Sequence, residues 1–289
     1  MSERWTVGTV LAAANEYLSG RDIPGARLEA ELLLAHSLAL SRFDLYTQFD
    51  RPLSEEERTV YRRLLTERST GRPLQHLTGT QAFRRLDLRM ANDVFIPRPE
   101  TELLVEKVLE WISGREDAAT ALEIGTGSGA VCVSLAVEAP RTTVWSTDIS
   151  QEALALAAVN ARAHGVEDRV HLVRGDFFSS APAGQTFDVI VSNPPYVPSG
   201  EIDSLASEVR DHEPRAALDG GPAGLDFYRR IISEGGRWLK AGGLLAFEVG
   251  IGQAQEVAAG LSTAGFEGID ITCDYGGIER IVTAVHRSV

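Results

Sequence analysis

The chain has 289 residues and a mass of 31.3 kDa, 44% hydrophobic and 24% charged. That balance excludes a disordered or fibrous protein and allows one large domain or two unequal ones. There are 28 basic and 41 acidic side chains, a net charge of −13; residues 79–289 hold 18 and 30 of these, net −12, so this part repels a long nucleic acid and suits a locally basic protein better. No run approaches the ~18 uncharged apolar residues of a membrane span. The start MSERWTVGTV, acidic at Glu3, lacks a basic-then-apolar signal pattern. Two cysteines, Cys132 and Cys273, are expected to be reduced structural thiols rather than a disulfide framework or metal site. A cytoplasmic protein is expected.

The first 75 residues read as helices. Val7, Val10, Leu11, Ala14 and Leu18 share one helical face, with Gly20 as a stop. After Pro24, Leu28, Leu32, Leu33, Leu38 and Leu40 continue the pattern. Ser54 and Glu57 form a capping-box signature, and the helix behind it turns Val60, Leu64 and Leu65 inward. Nothing in 1–75 suggests chemistry; it reads as a small bundle able to bind a partner. Between 76 and 100, Gly79, Pro97 and Pro99 punctuate the β-like runs Leu86–Leu88 and Val94–Ile96, a hairpin linker.

From 101 to 289 helix and strand alternate. Helices are expected over 101–111, 131–137, 151–163, 226–239 and 253–261. Strands are expected over 120–124, 143–146, 170–173, 187–192, 244–247, 269–272 and 281–285. This is the pattern of an α/β, doubly wound, mostly parallel seven-stranded sheet, whose ligands bind beyond the carboxyl ends of the strands.

Two such ends carry motifs. Strand 120–124 runs into GTGSG, residues 125–129. Gly125, Gly127 and Gly129 permit a tight turn that brings backbone amides close to a ligand. Asp148, at the end of the next strand, is placed to accept hydrogen bonds from ribose hydroxyls. With Ala130 the loop also satisfies G-x-G-x-x-A, so spacing leaves a dinucleotide open; Glu123 tilts the choice, because an acid there suits the ammonium of a methionine moiety better than a pyrophosphate. Its other reading is a structural hydrogen bond. Asp176 and Phe177 end the following strand, where they suit an adenine amine and ring; Phe177 reads equally as core.

Strand 187–192 runs into Asn193-Pro194-Pro195-Tyr196. The prolines fix two backbone angles and remove two donors, so the corner offers acceptors: the Asn193 side-chain oxygen and the Pro194 carbonyl. A planar NH₂ group has two donors to match them, and Tyr196 supplies a flat face. The chemistry is orientation and electrostatics rather than nucleophile activation by a strong base.

With E-x-G-x-G-x-G at 123–129 and NPPY at 193–196, the sequence resembles the class I S-adenosylmethionine-dependent methyltransferases that act on planar nitrogens. The fuller pattern is similar to the peptide chain release factor glutamine N5-methyltransferases. It includes ARLEAELLLAH at 26–36, RPLQHLTGTQAF at 72–83, FIPRPETELLVE at 95–106, EPRAALDGGPAGLDFYRRI at 213–231 and FEVGIGQ at 247–253. The family pattern commonly has tryptophan where Phe177 stands.

The resemblance implies a Rossmann-like methyltransferase domain over 101–289 behind a release-factor docking domain, 1–75. It also implies S-adenosyl-L-methionine as cofactor (S-adenosyl-L-homocysteine as product), no metal, and methylation of the glutamine side-chain amide in a Gly-Gly-Gln loop. By position it assigns Glu123, Gly125, Thr126, Gly127, Ser128, Gly129, Asp148, Asp176, Phe177 and Asn193 to the cofactor, and Asn193, Pro194, Pro195 and Tyr196 to the substrate amide. Arg98 and Glu100 either close over the cofactor or pair with each other. His212, Glu213 and Glu248 line the substrate channel or play structural parts. A monomer with no nucleic-acid or membrane partner is expected. The alternatives are an adenine N6-methyltransferase of DNA or RNA, which would need a basic groove, a nicotinamide oxidoreductase, and a non-catalytic relic.

Overall fold

A computed structural model describes residues 5–182 and 184–287; Glu3 lies outside them. The chain forms two compact units, one of residues 5–80 with 207–212 and one of 81–206 with 213–287.

The first unit holds α1 (Val7–Ser19), α2 (Ala26–Leu38), α3 (Arg42–Thr47), α4 (Glu55–Ser69) and α5 (Leu74–Thr78). Capping explains two of the helix starts. The Ser54 hydroxyl accepts from the Glu57 amide at 3.2 Å, and Glu57 Oε2 accepts from the Ser54 amide at 2.9 Å; Thr6 and Thr9 do the same for α1. The core is Val7, Ala14, Leu18, Ala30, Leu33, Leu34, Leu45, Tyr61 and Leu64, with Tyr61 Oη donating to the Ala30 carbonyl at 2.9 Å. Two expected inward residues face out. Leu28 is exposed because it lies about 200° round the helix from the buried Ala26, and Val60 is exposed because its neighbour Tyr61 takes the inner face. Arg68, buried at the end of α4, is held by Glu29 and by Glu208 at 2.9 Å.

A hairpin of β1 (Thr80–Phe83), which starts on the last residue of the first unit, and β2 (Leu86–Arg89) leads into the second unit, followed by α6 (Glu100–Ser113). Val94–Ile96 is not a strand: it is irregular backbone whose Val94 and Ile96 side chains are buried. Then come β3 (Thr120–Ile124), α7 (Ala130–Glu138), β4 (Thr143–Asp148), α8 (Gln151–Ala163), β5 (Val170–Arg174) and β6 (Phe187–Ser192). The short α9 (Ser207–Arg210) belongs to the helical unit. The rest is α10 (Asp226–Gly235), β7 (Leu239–Glu248), α11 (Ala254–Thr263), β8 (Glu267–Cys273) and β9 (Glu279–Val285). The helix expected to reach 239 stops at Gly235, and Leu239 starts β7 instead, paired with Phe187.

The sheet order is β5-β4-β3-β6-β7-β9-β8, with β9 antiparallel to both its neighbours and the other pairings parallel. Alternation along each strand builds two cores. Ala121, Val189, Val191, Leu244 and Ala246 pack under α6, α7 and α8. Leu122, Ile190, Leu245 and Phe247 pack against α10 and α11. With helices on both faces, a central strand such as FDVIVS is apolar almost throughout.

Asp188 is the exception. It is 3% exposed and accepts from the Thr120 amide and hydroxyl at 2.9 Å each, from Lys240 at 2.7 Å and from Arg115 at 3.2 Å. It ties β6 to β3 at the strand starts. Burial works against its charge, but Lys240 and Thr120 outweigh it and hold the carboxyl below its ordinary value. The stability it contributes is therefore present above the ordinary aspartate range and lost as pH falls through it. Asp188→Ala strands a lysine and a buried amide, so denaturant unfolding at neutral pH is expected to show a loss of about 3 kcal/mol, shrinking as the pH is lowered below about 4.

Candidate active site

Three strands end level with one another. Ile124 pairs with Thr147 on one side and with Ser192 on the other, and the Ser192 hydroxyl donates to the Ile124 carbonyl at 2.7 Å. The next residues in each strand are Gly125, Asp148 and Asn193. Chain order moves outward from β3 to β4 and β5, then returns to β6 on the other side, so this is the point where the sheet reverses direction and a ligand crevice opens.

The glycine loop is shaped by positive φ at Gly125 (89°), Gly127 (52°) and Gly129 (83°). Beyond the Cα of Gly127 there is open space, and beyond that of Gly125 only the Asn193 carbonyl oxygen, 3.8 Å from where a Cβ would stand. Gly129 serves helix packing instead. A Cβ there would come within 2.9 Å of the Ala157 Cβ, so its absence lets α7 pack on α8. Asp148 organises the loop, accepting from the Gly127 amide at 3.0 Å with one carboxylate oxygen and from the Ser150 amide at 2.9 Å with the other. The Thr126 and Ser128 side chains are buried. Thr126 Oγ1 bonds Ser146 Oγ at 2.7 Å, so these two residues offer a ligand their backbone only.

The NPPY corner is braced from behind. The Val197 amide donates to the Leu218 carbonyl and the Gly220 amide to the Val197 carbonyl, both at 2.9 Å. A side chain on Gly220 would stand 2.7 Å from the Pro195 oxygen, and one on Gly224 only 2.2 Å from the Tyr196 oxygen. Gln253 Nε2 donates to the Tyr196 carbonyl at 2.9 Å, and its Oε1 accepts from the Gly250 amide at 3.0 Å. Tyr196 is half-buried, and burial pushes its phenol up to about 12. Asn193 Nδ2 donates to Thr101 Oγ1 at 3.1 Å.

Residues 9–79 match the family model described as PrmC N-terminal domain, and residues 99–211 the one described as Methyltransferase small domain. A release factor glutamine methyltransferase of Geobacter sulfurreducens is 44% identical over 97% of this chain and 96% of its own. Proteins of the same description from Moorella thermoacetica (40%, covering 98% and 99%) and Rhodopirellula baltica (38%, 96% and 96%) are also similar. The chain belongs to the release factor glutamine methyltransferase family. Among solved structures, a methyltransferase from Pyrococcus furiosus shares the fold, with a TM-score of 0.52 at 19% identity over 70% of this chain and 90% of that one.

The structure bears on three of the alternatives that the sequence left open. Glu123 is 2% exposed and takes a hydrogen bond from Ser146 Oγ. Burial pushes its carboxyl up to about 8, with Ser146 and Cys132 restraining the rise and the Asp148 charge adding to it. It lies under the loop in a structural hydrogen bond, the other reading its sequence position left open. Phe177 offers no open ring face: it is 8% exposed, with Phe227 stacked at 5.3 Å and the Arg230 guanidinium 3.9 Å from its centroid, while Asp176 pairs with the same Arg230 at 2.8 Å. Phe177 is core, held at a φ of 51°. Arg98 pairs with Glu213, at 2.5 Å, rather than with Glu100. Of the remaining polar candidates, Glu248 is buried beside Asn193 and His212 falls in the helical unit. Sequence reasoning missed Thr101, Gln253 and the 218–224 segment as parts of the site. The conspicuous EPRAALDGG and FEVGIGQ blocks were the available signal for the last two.

An acid whose folded value is raised from 4.5 to about 8 favours folding at low pH and loses that advantage as pH rises through the window between the two. Wild-type stability is therefore expected to fall between about pH 5 and pH 9, and Glu123→Gln, which keeps the acceptor for Ser146, is expected to flatten much of that fall. Urea midpoints at the two pH values measure it.

Proposed function

We propose that this protein transfers the methyl group of S-adenosyl-L-methionine to the side-chain amide nitrogen (N5) of the glutamine in the Gly-Gly-Gln loop of peptide chain release factors. One observation carries the reading: the paired ends of β3 and β6 set the glycine loop against an acceptor-rich NPPY corner. The near full-length relatives supply the class of substrate by their description.

The residues present fit the cofactor. Open space beyond Gly125 and Gly127 is a cradle that any side chain would fill, and Asp148 is a fixed carboxylate whose oxygens each keep acceptor capacity after one backbone bond. The loop backbone of Gly125, Thr126, Gly127, Ser128 and Gly129 would line the site, with Asp148 on the ribose. When bound, S-adenosylmethionine supplies an electrophilic methyl on a sulfonium sulfur.

An amide nitrogen is a poor nucleophile because its lone pair is delocalised into the carbonyl. Asn193 Oδ1 and the Pro194 carbonyl accept its two hydrogens, which fixes the direction of the nitrogen and favours the positive charge that builds on it. Pro194 and Pro195 keep the corner free of competing donors. Tyr196, un-ionised at neutral pH, packs on the amide plane. No strong base is required, since a methylated amide nitrogen gives up its proton readily to water.

The helical unit, which matches its own family model, docks the release factor; exposed Phe43, Tyr46 and Phe49 supply aromatic surface for this. The acidic balance of residues 79–289 supports a protein rather than a nucleic-acid substrate. Among the described residues no helix is long and apolar enough to cross a membrane, and no cluster of His, Cys, Asp or Glu is built for a metal. A monomer working in the cytoplasm completes the reading.

Mass spectrometry of a release factor incubated with the protein and S-adenosylmethionine tests the activity. One added methyl on the loop glutamine is expected, with Asn193→Ala reducing the rate by about a hundredfold or more. An unmodified glutamine with a folded enzyme would refute the proposal.

A further inference from the structure

The acceptor role of Asn193 depends on which way its amide is turned, because the oxygen and the nitrogen sit on opposite branches of one planar group. Turned the wrong way, Asn193 would present donors to a substrate that is itself a donor. The surroundings bear on the choice. Nδ2 donates to Thr101 Oγ1 at 3.1 Å, and Thr101, at the start of α6, is 3% exposed. Behind them, Glu248 ends β7 in the position next to Phe247, which pairs with Ser192. Glu248 is 2% exposed, its Oε2 has no hydrogen-bond partner among the described residues, and the Thr101 and Asn193 side chains both favour its charged form. A buried acceptor without a partner is costly and calls for a reason.

Hydrogen-bond direction supplies the reason. An ionised Glu248 can only accept, so Thr101, whose side chain favours that charged form, would turn its hydroxyl hydrogen towards the carboxylate. The Thr101 lone pairs are then left for Asn193 Nδ2, and Oδ1 takes the opposite branch. We propose that Thr101 and Glu248 are positioning residues that set the orientation of the Asn193 amide and so make it an acceptor for the substrate NH₂. The proposal rests on the reading of NPPY as the amide-binding corner and adds to it the groups that make that corner work.

A protonated Glu248 can donate instead, which permits the reverse alignment. Burial, with Glu100 adding to it, pushes its carboxyl up to about 7, against the pull of Thr101, Arg280 and Asn193. The other titratable groups facing it, Tyr196 and Tyr228, are both held protonated. The productive alignment therefore gains as pH rises through neutrality.

The experiment follows methyl transfer from S-adenosylmethionine to the glutamine of an intact release factor, with cofactor binding measured separately by calorimetry. Thr101→Val is expected to lower kcat/KM for the release factor by ~10- to 100-fold with cofactor affinity unchanged, and Thr101→Ser to recover most of it. In an Asn193→Ala background Thr101→Val is expected to cost nothing further. The wild type should show kcat/KM rising through about pH 7, a limb that Glu248→Gln removes. The pH comparison stands even if Thr101→Val folds poorly. Additive effects of Thr101→Val and Asn193→Ala, or a pH limb that survives in Glu248→Gln, would overturn the positioning role while leaving the proposed activity intact. A folded wild type that leaves glutamine unmethylated would overturn the activity, and the positioning role with it.

Discussion

Parallel pairing across β4, β3 and β6 is the constraint on which the site depends. A parallel sheet has evenly spaced, slanted bonds, so the level at which one strand ends sets the level of its neighbours. Because Ile124 stands opposite both Thr147 and Ser192, the three residues that follow emerge on one line. A slip of one residue would turn every side chain of β6 to the other face. The anchor at Asp188, four hydrogen bonds from three residues, opposes such a slip from the far end of the strand. Side chains of the sheet thus determine, one strand-length away, where a carbonyl of the NPPY corner lies relative to a glycine.

The site divides its labour between backbone and side chains. On the β3 side almost everything that faces the crevice is peptide, and the side chains of Glu123, Thr126 and Ser146 lie below it as supports. On the β6 side the proposed amide contacts come from Asn193, Pro194 and Tyr196 themselves. A cradle of backbone amides is tolerant of sequence so long as the positive φ values are kept, whereas an aimed side-chain oxygen needs neighbours that enforce its direction.

Much of this was legible in the sequence. Strands 120–124 and 187–192 and helix 151–163 fall where periodicity put them, because each is bounded by glycine, proline or a capping serine. Elements without such punctuation were misjudged. The apolar content of 226–239 ran on through the Gly235–Gly236 break, and Val94–Ile96 has strand composition but no partner strand among the described residues. Within the site, the motif residues announced themselves, while their orientation did not. Whether Glu123 faces a ligand or a serine, and whether Phe177 shows a face or is covered by Arg230, depends on contacts between elements far apart in the chain. Thr101 is 92 residues from Asn193, and no local pattern relates them.

The bracing of the NPPY corner by Gly220 and Gly224 brings their backbone against that of Pro195 and Tyr196. Contacts of that kind have no side-chain length to adjust, so drift at either glycine cannot be absorbed in small steps by its opposite number. The two stretches therefore move as one piece: a side chain at either glycine would displace the corner's own backbone rather than a flexible neighbour.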